Sequence, residues 1–325
     1  MAEKGKWAGF LKFGCIGCLG LVAVGLVFGA VIVGLALIAN SKEQRFEPID
    51  LTQQVQPTRI DRIHSVEGET GDSASLPPAP PIADAGRVVL DITMCRFFVE
   101  PGEAGEPIRV EGEYDAESFE LTQDYTTDDE DGWVYELKFR RRGLTSMFVE
   151  QEGRGNRLRL IIPPDLPFVL EGSIGVGESE LELGGLRLLE TDLDLGVGAH
   201  EMSFAKPLAA PTGSLRLDGF IGETKILGLG NASPTSFMFD HSIGETLVDL
   251  SGEWQNDAVI NYRCGIGACI LRAPDDDVGL ILEDAGVMIG ESNLSRIQNR
   301  PTPPPGSPTL TLSITATLGE VNIRR

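Results

Sequence analysis

The side chains with the widest chemical scope are three histidines, five cysteines and a large excess of carboxylates. His64, His200 and His241 are the candidate bases or metal ligands. A base needs a proton to abstract within hydrogen-bond reach, and a zinc site needs three or four ligands. No HExxH pair, nucleophile-elbow serine or phosphate-cradling loop accompanies them. Carboxylate pairs such as those of RVEGEYD, Arg109–Asp115, recur too often in so acidic a chain to name a general acid and base. Cys15 and Cys18 form a CxxC with no further ligands nearby, so they read as small apolar residues of a helix. The stretch DYTTDDEDG gathers Asp128, Asp129 and Asp131, a donor set that calcium would accept. Its spacing is not that of an EF-hand, and an acidic hairpin tip accounts for it more simply. No catalytic residue and no cofactor are expected.

The other candidates belong to a repeat. Gly177, Gly198, Gly222, Gly244, Gly267, Gly290 and Gly319 follow one another at steps of 21, 24, 22, 23, 23 and 29 residues. The residue before each glycine is Val, Ile or Leu, and the fourth after it is again apolar. One such unit cannot bury its own apolar face, whereas stacked units can, so the period predicts a solenoid. Strand alternation, with both columns apolar, predicts positions −3, −1, +2 and +4 inward. The glycine then turns a corner between two short strands. His200 falls at +2 and His241 at −3, as residues of the core. Cys264 at −3 and Cys269 at +2 flank one corner, as a disulfide or as two buried thiols. Cys95 is left over as a small buried residue. The first position after the glycine is Glu in five units, which predicts a ladder with Glu223 and Glu245 as neighbours. Two carboxylates at strand spacing either splay into water or recruit a cation such as calcium.

The 325-residue chain carries 49 acidic against 27 basic residues, a net charge of −22. That argues against binding nucleic acid or an anionic bilayer surface. Residues 1–12 hold Lys4, Lys6 and Lys12, and residues 13–39 contain no charge. About 20 apolar residues cross a bilayer core, so 13–39 reads as a retained transmembrane helix with a cytoplasmic N-terminus. A cleaved signal peptide is the rival reading; the run is long for one and ends without a good cleavage site. Residues 40–86, with SLPPAPP, read as a flexible tether. Residues 87–325 form the extracytoplasmic part, with less regular strands over 87–165 and regular repeats over 166–325.

The segment Leu158–Phe204 resembles the bacterial DUF4097-type toast-rack β-repeat domains and the C-terminal domain of LiaF-type cell-envelope stress proteins. The shared features are a prolyl strand end, leucine-alternating strands and Gly-x-Gly corners, and the likeness extends over about 87–325. The resemblance implies an adhesin-like or envelope-response role and brings no catalytic residues with it. The expected fold is all-β and solenoid-like. The expected function is a single-pass, non-enzymatic adhesion, interaction or envelope-stress scaffold whose partner is an envelope protein or a glycan. A β-helix enzyme acting on polysaccharide and a structural spacer are the alternatives. The seventh unit ends the chain, so its strand is expected to leave an open edge, through which the protein could form a homo-oligomer.

Overall fold

Apolar and polar residues alternate along most of the chain after Arg87, and strands follow from that pattern. The computed structural model describes residues 46–55, 85–128, 132–142, 155–293 and 302–324. The expected transmembrane segment, most of the tether, Asp129, Asp131 and the Asp128 side chain lie outside the described residues. Among the described residues no helix is long and apolar enough to cross a membrane.

The described strands are β1 Phe46–Val55, β2 Gly86–Pro101, β3 Ile108–Asp115, β4 Phe119–Asp128, β5 Gly132–Arg141, β6 Arg157–Ile162, β7 Pro167–Glu182, β8 Arg187–Ser203, β9 Ser214–Leu227, β10 Ser236–Asp249, β11 Ala258–Arg272, β12 Gly279–Asn293 and β13 Thr309–Arg324. They join in one sheet in the order β1-β3-β6-β2-β7-β8-β9-β10-β11-β13-β12, with β5 also pairing with β2 and β4 pairing with β5. β1 lies inside the stretch expected to be a tether. It pairs antiparallel with β3, whose far side is taken by β6, so an open strand edge orders this segment.

From β2 onward the strands are parallel rungs in common register. Gly177 pairs with Gly198, Gly198 with Gly222, Gly222 with Gly244 and Gly244 with Gly267. Each glycine sits within one long bent strand, not between two short ones. Its φ lies between +131° and +150° at all seven positions, a region closed to side-chain-bearing residues. β2 is a further rung that the glycine spacing does not reveal, because Cys95 occupies the corner and pairs with Gly177.

The bend changes which columns face inward. Positions −3, +2 and +4 are buried as expected on every rung but β12, where Val287 is half-buried and Ser292 exposed, while position −1 points outward on every rung. Residues −3 and +2 are an odd number apart, so both can face inward only if the alternation is broken between them. The outer side of the corner therefore takes four consecutive positions, from −2 to +1. The inward columns form one continuous core, with Leu193, Leu217, Phe239, Tyr262 and Ile314 stacked at −5 and Met202, Ile226, Val248, Leu271 and Ile323 at +4. Each such side chain contributes about 1.5–3 kcal/mol on burial. Loop residues Leu208, Leu229, Leu250 and Trp254 join the same core. Asn231 ties those loops together, donating to the Phe204 carbonyl and accepting from the Glu253 amide.

The chain's last strand is not the edge. β13 inserts between β11 and β12, which leaves β12 paired on one side only among the described residues. The residues explain the exchange. β13 offers a fully buried set in Leu310, Leu312, Ile314, Ala316, Val321 and Ile323. β12 has Ala285, Val287 and Ser292 opposite Ile314, Ala316 and Val321, and a register shift between Leu282 and Asp284 beside exposed Glu283. Bulges and charges of this kind suit an edge.

Candidate functional site

The outer side of the bend is where the described surface repeats most regularly. The −1 column reads Met94, Val176, Val197, Ile221, Ile243, Ile266, Leu318 and Ile289 in the spatial order of the rungs. Seven of these are between 38% and 62% exposed, and Ile221 is half-buried. Rungs lie about 4.8 Å apart, so the row runs for roughly 34 Å. On its other flank stands the +1 column, with Glu178, Glu223, Glu245, Glu320 and Glu291 exposed.

Beside the row runs an open groove of about 620 Å³. Its lining comes from positions −4, −3 and −2 of β7 to β11 and from Thr317 of β13. Position −4 supplies Asp194, Asp218, Asp240 and Arg263. Position −2 supplies Gly196, Phe220, Ser242 and Gly265, so the Phe220 ring stands 55% exposed between small neighbours. Arg263 binds Asp240 through both carboxylate oxygens, at 2.6 and 2.8 Å. Arg216 holds Asp218 at 3.0 Å and reaches Asp192 at 3.8 Å. Its hydrogen bond to Asp218, with the attraction of that carboxylate, raises the guanidinium pKa. Asp194, by contrast, carries no cationic partner among the described residues.

The structure places Cys264 and Cys269 across the corner of β11 as a disulfide, with Cα atoms 6.2 Å apart. Thr246 of the neighbouring rung lies 3.3 Å from Cys264 Sγ and donates to the Ala268 carbonyl. Cys95 is buried, and burial pushes its thiol up to about 12. His200 and His241 are both buried in the core. Nδ1 of His200 is 2.9 Å from Ser179 Oγ, while Nε2 of His241 donates to the Ile243 carbonyl at 3.1 Å. Burial, reinforced by nearby His241, pushes His200 down to about 4. Burial also lowers His241. Both imidazoles are therefore neutral side chains of the core, and His241 borders the groove while its ring is buried.

Glu223 and Glu245 are opposite one another on adjacent rungs. Lys225, two residues along, closes on Glu223 at 2.5 Å, and that contact raises the lysine pKa. Arg96 similarly takes Glu178, at 2.5 Å. Among the described residues no three His, Cys, Asp or Glu side chains gather as for a metal ion.

The N-terminal domain family of toast_rack, DUF2154, matches residues 65–227, half of the chain. The chain belongs to this toast-rack family. The matched segment ends at Leu227, the last residue of β9, so β10 to β13 continue the toast-rack stack beyond it. No curated protein matches the chain. A solved structure from Clostridium sporogenes, described as a "putative cell adhesion protein", is similar at 14% identity and a TM-score of 0.40. That similarity covers 86% of this chain and 99% of the other.

The groove of this toast-rack chain does not follow from the glycine repeat, although its signal is present in the sequence. Asp194, Asp218 and Asp240 share position −4 in three successive units, and Phe220 interrupts a column of small residues. This acidic column is less regular than the glutamates at +1 and lies on the other side of the bend.

Proposed function

We propose that this chain is a single-pass membrane protein whose β-repeat domain lies outside the cytoplasm and acts as a non-catalytic interaction scaffold, in adhesion or in the response to envelope stress. The observation that carries this reading is the row of apolar side chains repeated on eight rungs at the outer bend, seven of them exposed. Large exposed apolar patches rimmed by polar residues mark interaction sites. The uncharged run 13–39, preceded by Lys4, Lys6 and Lys12, supports the anchor and its orientation. The likeness to LiaF-type proteins supports an envelope setting. The partner is an envelope protein or a glycan.

The test compares full-length protein purified from its own membrane with a Val197→Ser/Ile243→Ser variant of unchanged melting temperature. The reading expects a partner that co-purifies with the first and is lost from the second. A partner retained equally by both would contradict it, and no partner for either would leave the structural spacer standing.

One observation favours the enzyme alternative: Asp194, Asp218, Asp240 and Arg263 share a groove. Against it, the groove is open to solvent, and Asp218 and Asp240 are already engaged by arginines. Release of reducing ends from envelope polysaccharide, abolished by Asp218→Asn, would establish the enzyme instead.

A further inference from the structure

The outer groove has two unlike walls. On one side stand the carboxylates of Asp194, Asp218 and Asp240 on three consecutive rungs. On the other stand Phe220 and, just beyond the small residues of its column, the exposed Val197 and Ile243. Between them the floor is the backbone at position −3, where Gly219 bears no side chain and the neighbouring Leu195 and His241 turn inward. Arg263 of the same wall binds Asp240 and Arg216 holds Asp218, so a ligand lying along the stack meets paired carboxylates and the unpaired Asp194 on one flank and apolar surface on the other.

We propose that this groove takes an extended peptide segment in which basic and apolar side chains alternate. The proposal rests on the scaffold reading above and names its partner chemistry. In an extended chain successive side chains point to opposite sides, so alternate residues would address the two walls separately. The lined rungs, β7 to β11 and β13, span about 24 Å at strand spacing, the reach of roughly seven extended residues. The charge complementarity centres on Asp194, which has no cationic partner among the described residues, whereas Asp218 and Asp240 are engaged by Arg216 and Arg263 and Glu223 by Lys225. Lysine or arginine stems reach far enough to absorb the difference between the two-residue repeat of the peptide and the rung spacing. Phe220, isolated between Gly196 and Ser242, supplies the aromatic anchor on which such interfaces concentrate their affinity.

The experiment uses the full chain in lipid nanodiscs and a fluorescent ten-residue peptide alternating valine and lysine. Three probes accompany it: a block isomer with the lysines together, an alternating valine–glutamate peptide, and a neutral oligosaccharide. The alternating basic peptide should bind most tightly and lose affinity as salt rises. Phe220→Ser should weaken it about tenfold, the effect of losing an aromatic anchor. Asp194→Asn should weaken it about two- to fivefold, the size of an exposed ion pair, and Asp218→Asn less, because Arg216 already pairs with that carboxylate. Glu180→Gln, on the far arm of β7, should leave binding unchanged. Equal binding of the block isomer would overturn the proposal in favour of unspecific attraction. So would indifference to Phe220→Ser, or binding of the oligosaccharide in place of the peptide. A failed peptide with co-purification still dependent on Val197 and Ile243 would reject this inference and leave the scaffold reading intact.

Discussion

A side chain on Gly244 would run into the carbonyl oxygen of Gly222 on the next rung. The same collision recurs between Gly222 and Gly198 and between Gly267 and Gly244. The bend thus depends on glycine twice, once for its φ and once for the close approach of neighbouring backbones.

Gly222→Ala or Gly244→Ala should therefore cost about 3 kcal/mol or more, combining a forbidden φ with a backbone collision. Cys95→Ala, at the equivalent corner of β2 where φ is not positive, should cost only about 1 kcal/mol. Denaturant unfolding of the three variants separates these outcomes. Equal losses would mean that the corner has no special demand for glycine.

The Cys264–Cys269 bridge closes a short loop across one corner. Loop-closure entropy for that separation gives about 2 kcal/mol of stabilisation. Intact-mass measurement of the unreduced protein should show the pair oxidised. Reduction, or replacement of both residues by alanine, should lower the melting temperature accordingly. A reduced pair in protein isolated from its own cells would contradict the bridge.

Stability should fall in mild acid through His200. Its folded pKa lies near 4, below the usual value of 6.5, because burial disfavours the cation. Between those values the unfolded chain binds the proton more readily, so stability is full above about pH 6.5 and declines as pH falls. The loss levels off below pH 4 at roughly 3 kcal/mol for this group, the linkage equivalent of the shift. His241 shifts in the same direction. His200→Gln should flatten this part of the stability profile, measured by urea unfolding at several pH values. An unchanged slope would show that other groups govern it.

The edge of the sheet gives a fourth expectation. β12 exposes Met288 and Ile289 but carries Glu283, Asp284 and Glu291, with a register shift at Glu283. Those features oppose pairing with a second copy. Glu283→Thr/Asp284→Thr should make the protein associate with rising concentration in size-exclusion chromatography with light scattering, while the parent chain does not pair through this edge. Association of both alike would assign the contact elsewhere.

The stack was legible in the sequence because its constraints are local and repeated. A glycine that must take positive φ recurs visibly, and the apolar +4 column follows it. The inward facing of His200, His241, Cys264 and Cys269 could be counted from that glycine. The facing of Val176, Val197 and Ile243 could not, since an apolar column looks the same whether it fills a core or lies along a bend. Only the broken alternation between −3 and +2 decides it. The order of the last rungs was equally hidden. It depends on β13 burying more apolar surface than β12, a comparison between strands and not a property of either. β2 is legible as a strand from its alternation but not as a rung, because Cys95 stands at the marker position.

The most direct test of the scaffold account is photo-crosslinking in the intact envelope. A photoreactive amino acid would replace Ile243 on the outer row in one protein and Glu180 on the far arm of β7 in another. The account predicts a crosslinked partner from position 243 and none, or far less, from position 180. Crosslinking from position 180 alone, or equally from both, would contradict it.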